Sequence, residues 1–169
     1  MALIIATYID GMKVLGSIVW VALPLLAGAV GGIASTNAPV FYVQLEKPEW
    51  APPAWLFGPV WTVLYLLMGI AALLVWRSAP WPRTRAALSF FAIHLVVNAA
   101  WSWLFFHWHL GAGSFASIVL LWLMIIALVV WFARFRRSAA LLLLPYLAWV
   151  TFAVALNWTL WQRNPALLL

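Results

Sequence analysis

Long apolar runs alternate with short polar breaks along the chain, and a membrane-crossing helix needs about 20 mostly apolar residues. Five runs meet that length: about Val14 to Ile33, Ala54 to Trp76, Ala86 to Phe106, Ser114 to Ala133 and Ala139 to Trp161. None contains Asp, Glu, Lys or Arg. The breaks are Arg77-Ser-Ala-Pro-Trp-Pro-Arg83-Thr-Arg85, Gly111-Ala-Gly113 and Arg134-Phe-Arg136-Arg137. Such short connections predict an all-α membrane protein, a single domain over 1–169 built as an up-and-down bundle of five transmembrane helices. The segment from Ser35 to Pro53 departs from this pattern. It holds Pro39, Pro48, Pro52 and Pro53, and a loop of that length in a small domain is usually functional.

Composition closes off the alternatives. Of 169 residues, 68% are hydrophobic and 7% charged, with a mean hydropathy of +1.08, which no soluble globule or disordered chain could carry. The formal charge of +6 comes from Lys and Arg in the gaps between apolar runs, which reads as orientation in the bilayer and not as nucleic-acid binding. Lys13, Arg77, Arg83, Arg85, Arg134, Arg136 and Arg137 fall on one side, and only Lys47 and Arg163 on the other. That places the N-terminus in the cytoplasm, with the first loop and the C-terminus outside. Lys13 and Ala27-Gly-Ala29 resemble parts of a signal peptide, but the apolar run continues past them, so an uncleaved first helix is expected. Without cysteine there is no thiolate chemistry, and without charges inside the spans no proton relay or voltage sensor.

Helical spacing groups the remaining polar and aromatic side chains. Trp61 and Tyr65 share a face of the second run; Asn98, Trp101, Ser102 and Phe105 share one of the third; Trp149, Ala153 and Asn157 align on the fifth. Amides in hydrocarbon need partners, so Asn98 and Asn157 should face the interior. These faces serve equally as interhelical glue or as a flat aromatic cavity for a planar apolar ligand. Trp55, Trp76, Trp81, Trp108, Trp131 and Trp161 lie near run ends and read as interfacial belts. His107 and His109 read as interface polarity, and His94 as a satisfied buried group more readily than an axial ligand. No metal site and no standard catalytic motif stands out. Gly28-Ala-Val-Gly31-Gly32 permits close helix contact, within one chain or between two.

Leu45-Glu-Lys-Pro-Glu-Trp50-Ala-Pro-Pro53 and Phe57-Gly-Pro-Val-Trp61-Thr-Val-Leu-Tyr65-Leu-Leu-Met-Gly69 resemble the TspO/MBR family. So do Asn98-Ala-Ala-Trp101-Ser102-Trp-Leu-Phe-Phe106 and Pro145-Tyr-Leu-Ala-Trp149-Val-Thr-Phe-Ala153-Val-Ala-Leu-Asn157-Trp, and the likeness runs from about Phe41 to Asn164. The resemblance implies a five-helix bundle of the bacterial inner membrane, often a homodimer, embedded in lipid. It implies binding of porphyrins (protoporphyrin IX or haem) and, in some members, of isoquinoline- or benzodiazepine-type ligands, with no obligatory cofactor. Porphyrin handling, stress sensing or regulation would be the role, with a transporter of porphyrin or another small apolar molecule, or a regulatory membrane scaffold, as the alternative. By motif, Tyr42, Trp61, Tyr65, Asn98, Trp101, Ser102, Trp149 and Ala153 match ligand-binding positions. Trp61 and Trp149 match tryptophans implicated in light-dependent porphyrin breakdown. Lys47, Pro48, Trp50, Pro52 and Pro53 would belong to a lid formed by the first loop. Phe41 stands where the family commonly has Trp, His107-Trp-His109 replaces a basic loop, and Ser117 replaces an acidic residue. Trp158 occupies the place of the Tyr in the sterol motif, which counts against a sterol ligand.

Overall fold

The computed structural model describes residues 2–169, and their side chains from residue 14 onward. Lys13, counted above among the basic flanks, lies outside the described side chains. Helix α1 spans Ala2–Ala34 and α2 spans Ala38–Gln44; after a 3-10 turn at Ala54–Leu56 come α3 (Phe57–Trp76) and α4 (Trp81–Ser102). A π turn at Trp103–His107 continues α4, followed by α5 (Gly111–Phe135) and α6 (Arg137–Arg163). Five of these stretches are long and apolar enough to cross a membrane: Val14–Ala34, Ala54–Trp76, Trp81–His107, Gly111–Phe135 and Arg137–Arg163.

The expected spans are all present, and the helices overrun them at their polar ends. The third begins at Trp81 instead of Ala86, because Pro80-Trp-Pro82 suits a helix start, where the missing proline N–H is no loss. Gly111-Ala-Gly113, read as the break between the third and fourth runs, is instead the first turn of α5. The chain reverses two residues earlier, at His109, which takes a left-handed φ of 54°. Gly111 is needed for packing: a Cβ there would run into the indole of Trp161, and its N–H donates to the Leu169 carbonyl at 2.6 Å. Between α5 and α6 a single extended residue, Arg136, makes the turn.

Ile118, Leu121, Ile125, Leu128 and Phe132 of α5 pack with Leu143, Tyr146 and Val150 of α6, and Leu88, Phe91 and Leu95 of α4 join them. Met68, Ala71, Ala72 and Val75 of α3 complete the buried layer. Helix α1 lies against α3 and α4, with Gly69 of α3 set against the backbone of Val21. Its outer face exposes Val14, Leu15, Ile18, Leu26 and Ile33, as do Leu120, Leu123 and Val130 on α5. An apolar exterior of this kind suits lipid as solvent, and Pro24 and Pro145 inside helices are tolerated there.

The segment 35–53 is not the continuous loop expected. Pro39 sits in the first turn of α2, where its fixed φ favours a helix. Lys47 then folds back to donate to the carbonyls of Tyr42 (2.8 Å) and Leu45 (3.0 Å), satisfying the end of that helix. The far end of the chain straps this segment down. Asn164 accepts from the Glu46 N–H at 2.7 Å and donates to the Glu46 carbonyl at 3.1 Å, while Arg163 reaches the Lys47 carbonyl at 3.3 Å. The His109 ring stacks on Phe41 at 4.1 Å, and the His109 carbonyl accepts from the Leu169 N–H. Asn164→Leu should therefore speed hydrogen exchange at the Glu46 amide by roughly tenfold, the worth of about one net hydrogen bond. Exchange mass spectrometry over residues 42–50 reads this directly.

Candidate functional site

Helices α1, α2, α3, α4 and α6 and the 3-10 turn enclose a cavity of about 660 Å³. That volume is within the range of small-molecule and cofactor sites. Its walls are mostly apolar and aromatic, with Phe57, Trp61 and Tyr65 on α3 facing Trp101, Phe105 and Phe106. Trp61 stacks on Tyr65 at 5.5 Å between ring centroids and on Trp101 at 6.5 Å, both pairs 29° from parallel. The i, i+4 spacing of Trp61 and Tyr65 produces the first contact, and the approach of α4 to α3 produces the second.

Hydrogen bonds hold the aromatic walls in place, from Asn157 within the lining and from Asn98 behind it. Trp101 Nε1 donates to Asn157 Oδ1 at 2.9 Å, and Asn157 Nδ2 donates to Ser114 Oγ at 3.2 Å. The Tyr65 hydroxyl donates to Asn98 Oδ1 at 2.8 Å, and Asn98 Nδ2 donates to the Tyr146 hydroxyl at 2.9 Å. Tyr146 in turn lies 2.9 Å from His94 Nε2. Both amides are thus buried and paired, as their place in hydrocarbon requires. No Lys, Arg, Asp or Glu lines the cavity.

Six of the eight expected binding positions border this space: Tyr42, Trp61, Tyr65, Trp101, Ser102 and Ala153. Asn98 stands one layer behind and meets the cavity only through Tyr65. Trp149 is placed elsewhere. It lines a shallow groove on the outer side of α3 and α6 with Pro59, Val63, Pro145 and Phe152. Its Nε1 is buried there without a hydrogen-bond partner. The reason is its level along the helix: Trp149 lies one turn, about 6 Å of rise, before Ala153, the first residue of α6 to border the cavity. It still approaches the cavity indirectly, edge-on to the lining ring of Phe57 at 5.8 Å.

The lid also differs from the expectation. Lys47, Pro48, Trp50, Pro52 and Pro53 do not line the cavity; Ala38, Pro39 and Tyr42 of α2 and Ala54 and Trp55 of the 3-10 turn do. The expected residues act as supports. Pro52 accepts from the Tyr42 hydroxyl at 2.9 Å, Trp50 packs edge-on against Phe152, and Pro53 precedes the 3-10 turn. Burial pushes the Tyr42 phenol above its ordinary pKa, so it stays protonated and keeps donating to Pro52.

Sequence reasoning missed the contribution of α1. Gly28, Gly31 and Gly32 form one wall of the cavity. The absent side chains leave room for partners: a Cβ at Gly28 would enter the Tyr65 ring, and one at Gly31 would stand 3.1 Å from Ser102 Oγ. The glycine run carried the signal, but it fits helix contact and cavity lining equally.

Residues 20–162 match the TspO/MBR family. The Tryptophan-rich protein TspO of Chlorobaculum tepidum is 43% identical over 143 residues, 81% of this chain and 90% of that protein. Protein CrtK of Rhodobacter capsulatus is 41% identical over 140 residues, 82% of this chain and 86% of its own length. The human Translocator protein is 35% identical over 126 residues, 73% of this chain and 75% of the human one. With five apolar membrane-length helices, motifs in the order given above and a match across most of its length, the chain is a multi-pass membrane protein that belongs to the TspO/MBR family.

Proposed function

We propose that this protein binds a tetrapyrrole, protoporphyrin IX or a close relative, within the bilayer and acts in porphyrin handling or stress sensing. The observation that carries the reading is the wall of Trp61, Tyr65 and Trp101, whose nearly parallel rings border a cavity free of charged side chains. A planar, apolar macrocycle gains from offset stacking on such rings and from burial. The names of the relatives, tryptophan-rich sensory protein among them, support a sensory or translocating role in a membrane. The chain would lie in a bacterial inner membrane with its arginine-rich end in the cytoplasm. A homodimer is consistent with the reading and not required by it.

Residues of the chain have separable parts in this function. Trp61 and Trp101 hold the macrocycle face, Ser102 offers a hydroxyl to the cavity, and α2 covers the opening. A bound porphyrin absorbs light, and the indole of Trp61 borders the same cavity as an electron-rich donor. Trp149 stands one ring further out, behind Phe57. Replacing Trp61 and Trp149 together by Phe should keep binding in darkness and abolish light-dependent porphyrin breakdown, read as loss of spectral conversion under illumination. Unchanged breakdown in the double variant would remove the photochemical part of the reading.

Transport is the second reading, favoured by the name of the translocator relatives. It calls for access from both sides, commonly built from broken helices and charged coupling residues, and the cavity wall carries no charge. Uptake of porphyrin into sealed vesicles separates the two readings.

A further inference from the structure

The structure describes the side chains of three tyrosines, and their hydroxyls meet very different partners. Tyr42 donates to the backbone carbonyl of Pro52 and Tyr65 to the amide oxygen of Asn98. Neither acceptor is a useful base. Tyr146, wholly buried on α6, stands 2.9 Å from the imidazole Nε2 of His94, itself wholly buried on α4. Asn98 Oδ1 takes the Tyr65 hydrogen and its Nδ2 donates to the Tyr146 oxygen, so the Tyr146 hydrogen has Nε2 as its acceptor when the imidazole carries its proton on Nδ1. Trp61, on the cavity wall, touches both phenols: Tyr65 at 5.5 Å and Tyr146 edge-on at 6.0 Å.

We propose that Tyr146 and His94 form a redox-active pair, which takes up an oxidising equivalent arriving at Trp61. The step balances as follows. Trp61, having lost one electron, takes one from Tyr146; the phenolic proton crosses the existing hydrogen bond to His94 Nε2. Neutral indole, a neutral tyrosyl radical and an imidazolium result. The single positive charge moves from indole to imidazole, so the net charge of the site is unchanged. Tyr65 is as close to Trp61 but has no base to receive its proton. Oxidation there would leave a phenol radical cation in an apolar wall. In the proposed function a light-excited porphyrin held against Trp61 and Trp101 would supply the oxidising equivalent, with dioxygen taking the electron as superoxide. That use rests on the tetrapyrrole reading above. The pair would then draw the hole one ring away from the ligand and delay its return.

The pair can be tested without any porphyrin. Azide radical, generated by pulse radiolysis, oxidises indoles of the purified ligand-free protein in nanodiscs, and transient absorption follows indolyl decay and tyrosyl growth. Tyrosyl growth is expected in the unmodified protein and its loss in Tyr146→Phe. It should also be lost in His94→Gln, which can still accept a hydrogen bond but is no base. Thermal melting identifies which variants fold, and either one that does decides the matter. Tyrosyl yield that survives in a folded variant assigns the radical to another tyrosine, Tyr65 first, and overturns the proposal. Absence of tyrosyl growth in the unmodified protein overturns it as well. Failure of protoporphyrin IX to quench tryptophan fluorescence in darkness would sink the tetrapyrrole reading alone, leaving the pair to the radiolysis result.

Discussion

Trp61→Ala should weaken protoporphyrin IX binding about 30-fold, the effect of losing roughly 2 kcal/mol at an aromatic anchor. The residue is the junction of the cavity wall, stacked on Tyr65 and Trp101 and edge-on to Tyr146. Truncation removes the indole from the macrocycle and also leaves the inner edges of three rings without support. Trp61→Phe keeps an aromatic face and should cost far less. An absorption titration in darkness, comparing the two variants, measures both. Equal losses would mean that the indole contributes something other than a stacking surface.

The second large effect concerns a residue outside the cavity lining. A Cβ at Gly69 would stand 2.9 Å from Val21 Cα and 3.0 Å from the Val21 carbonyl oxygen. Those are backbone atoms of α1, which cannot rotate aside as a side chain can. Gly69→Leu should therefore push α1 off α3 and destabilise the bundle by about 3 kcal/mol, the upper range for overpacking. Since Leu25, Gly28, Gly31 and Gly32 of α1 form one wall, the cavity should fail with it. A lowered melting temperature in detergent, together with weakened porphyrin binding, is the expected result. A melting temperature equal to that of the unmodified protein would show that α1 is free to slide.

Features that depend on residue type and short-range period were legible in the sequence. The five spans are uninterrupted apolar runs, and lipid leaves a chain few other ways to satisfy its backbone. Asn98 and Asn157 could be placed inside because an unpaired amide in hydrocarbon is costly, and each has its partner. Trp61 and Tyr65 are one helical turn apart and do stack. What failed depended on longer-range geometry. Trp149 shares a side of α6 with the cavity-lining residues but lies a full turn before Ala153, the first of them, and spacing along one helix does not show where a cavity ends. Pro39 was counted among loop prolines, although a proline just inside a helix start is a normal feature. The glycines of α1 fit two roles equally well, and only the neighbouring Tyr65 and Ser102 distinguish them. The hydrogen bond between Tyr146 and His94 joins residues 52 positions apart, with no local pattern to reveal it.

The central claim, that the cavity itself is the porphyrin site, is tested most directly at Gly32. This residue borders the cavity, and a Cβ there would meet nothing within 4 Å. Gly32→Trp can thus fill the space without disturbing the packing of the helices. The measurement is tryptophan-fluorescence quenching by protoporphyrin IX in darkness, on the unmodified protein and on Gly32→Trp, with melting temperatures recorded for both. Saturable quenching is expected in the first, with its loss in the second and unchanged melting. Saturable quenching of equal affinity in both proteins would contradict it, and would move the porphyrin to a site outside this cavity.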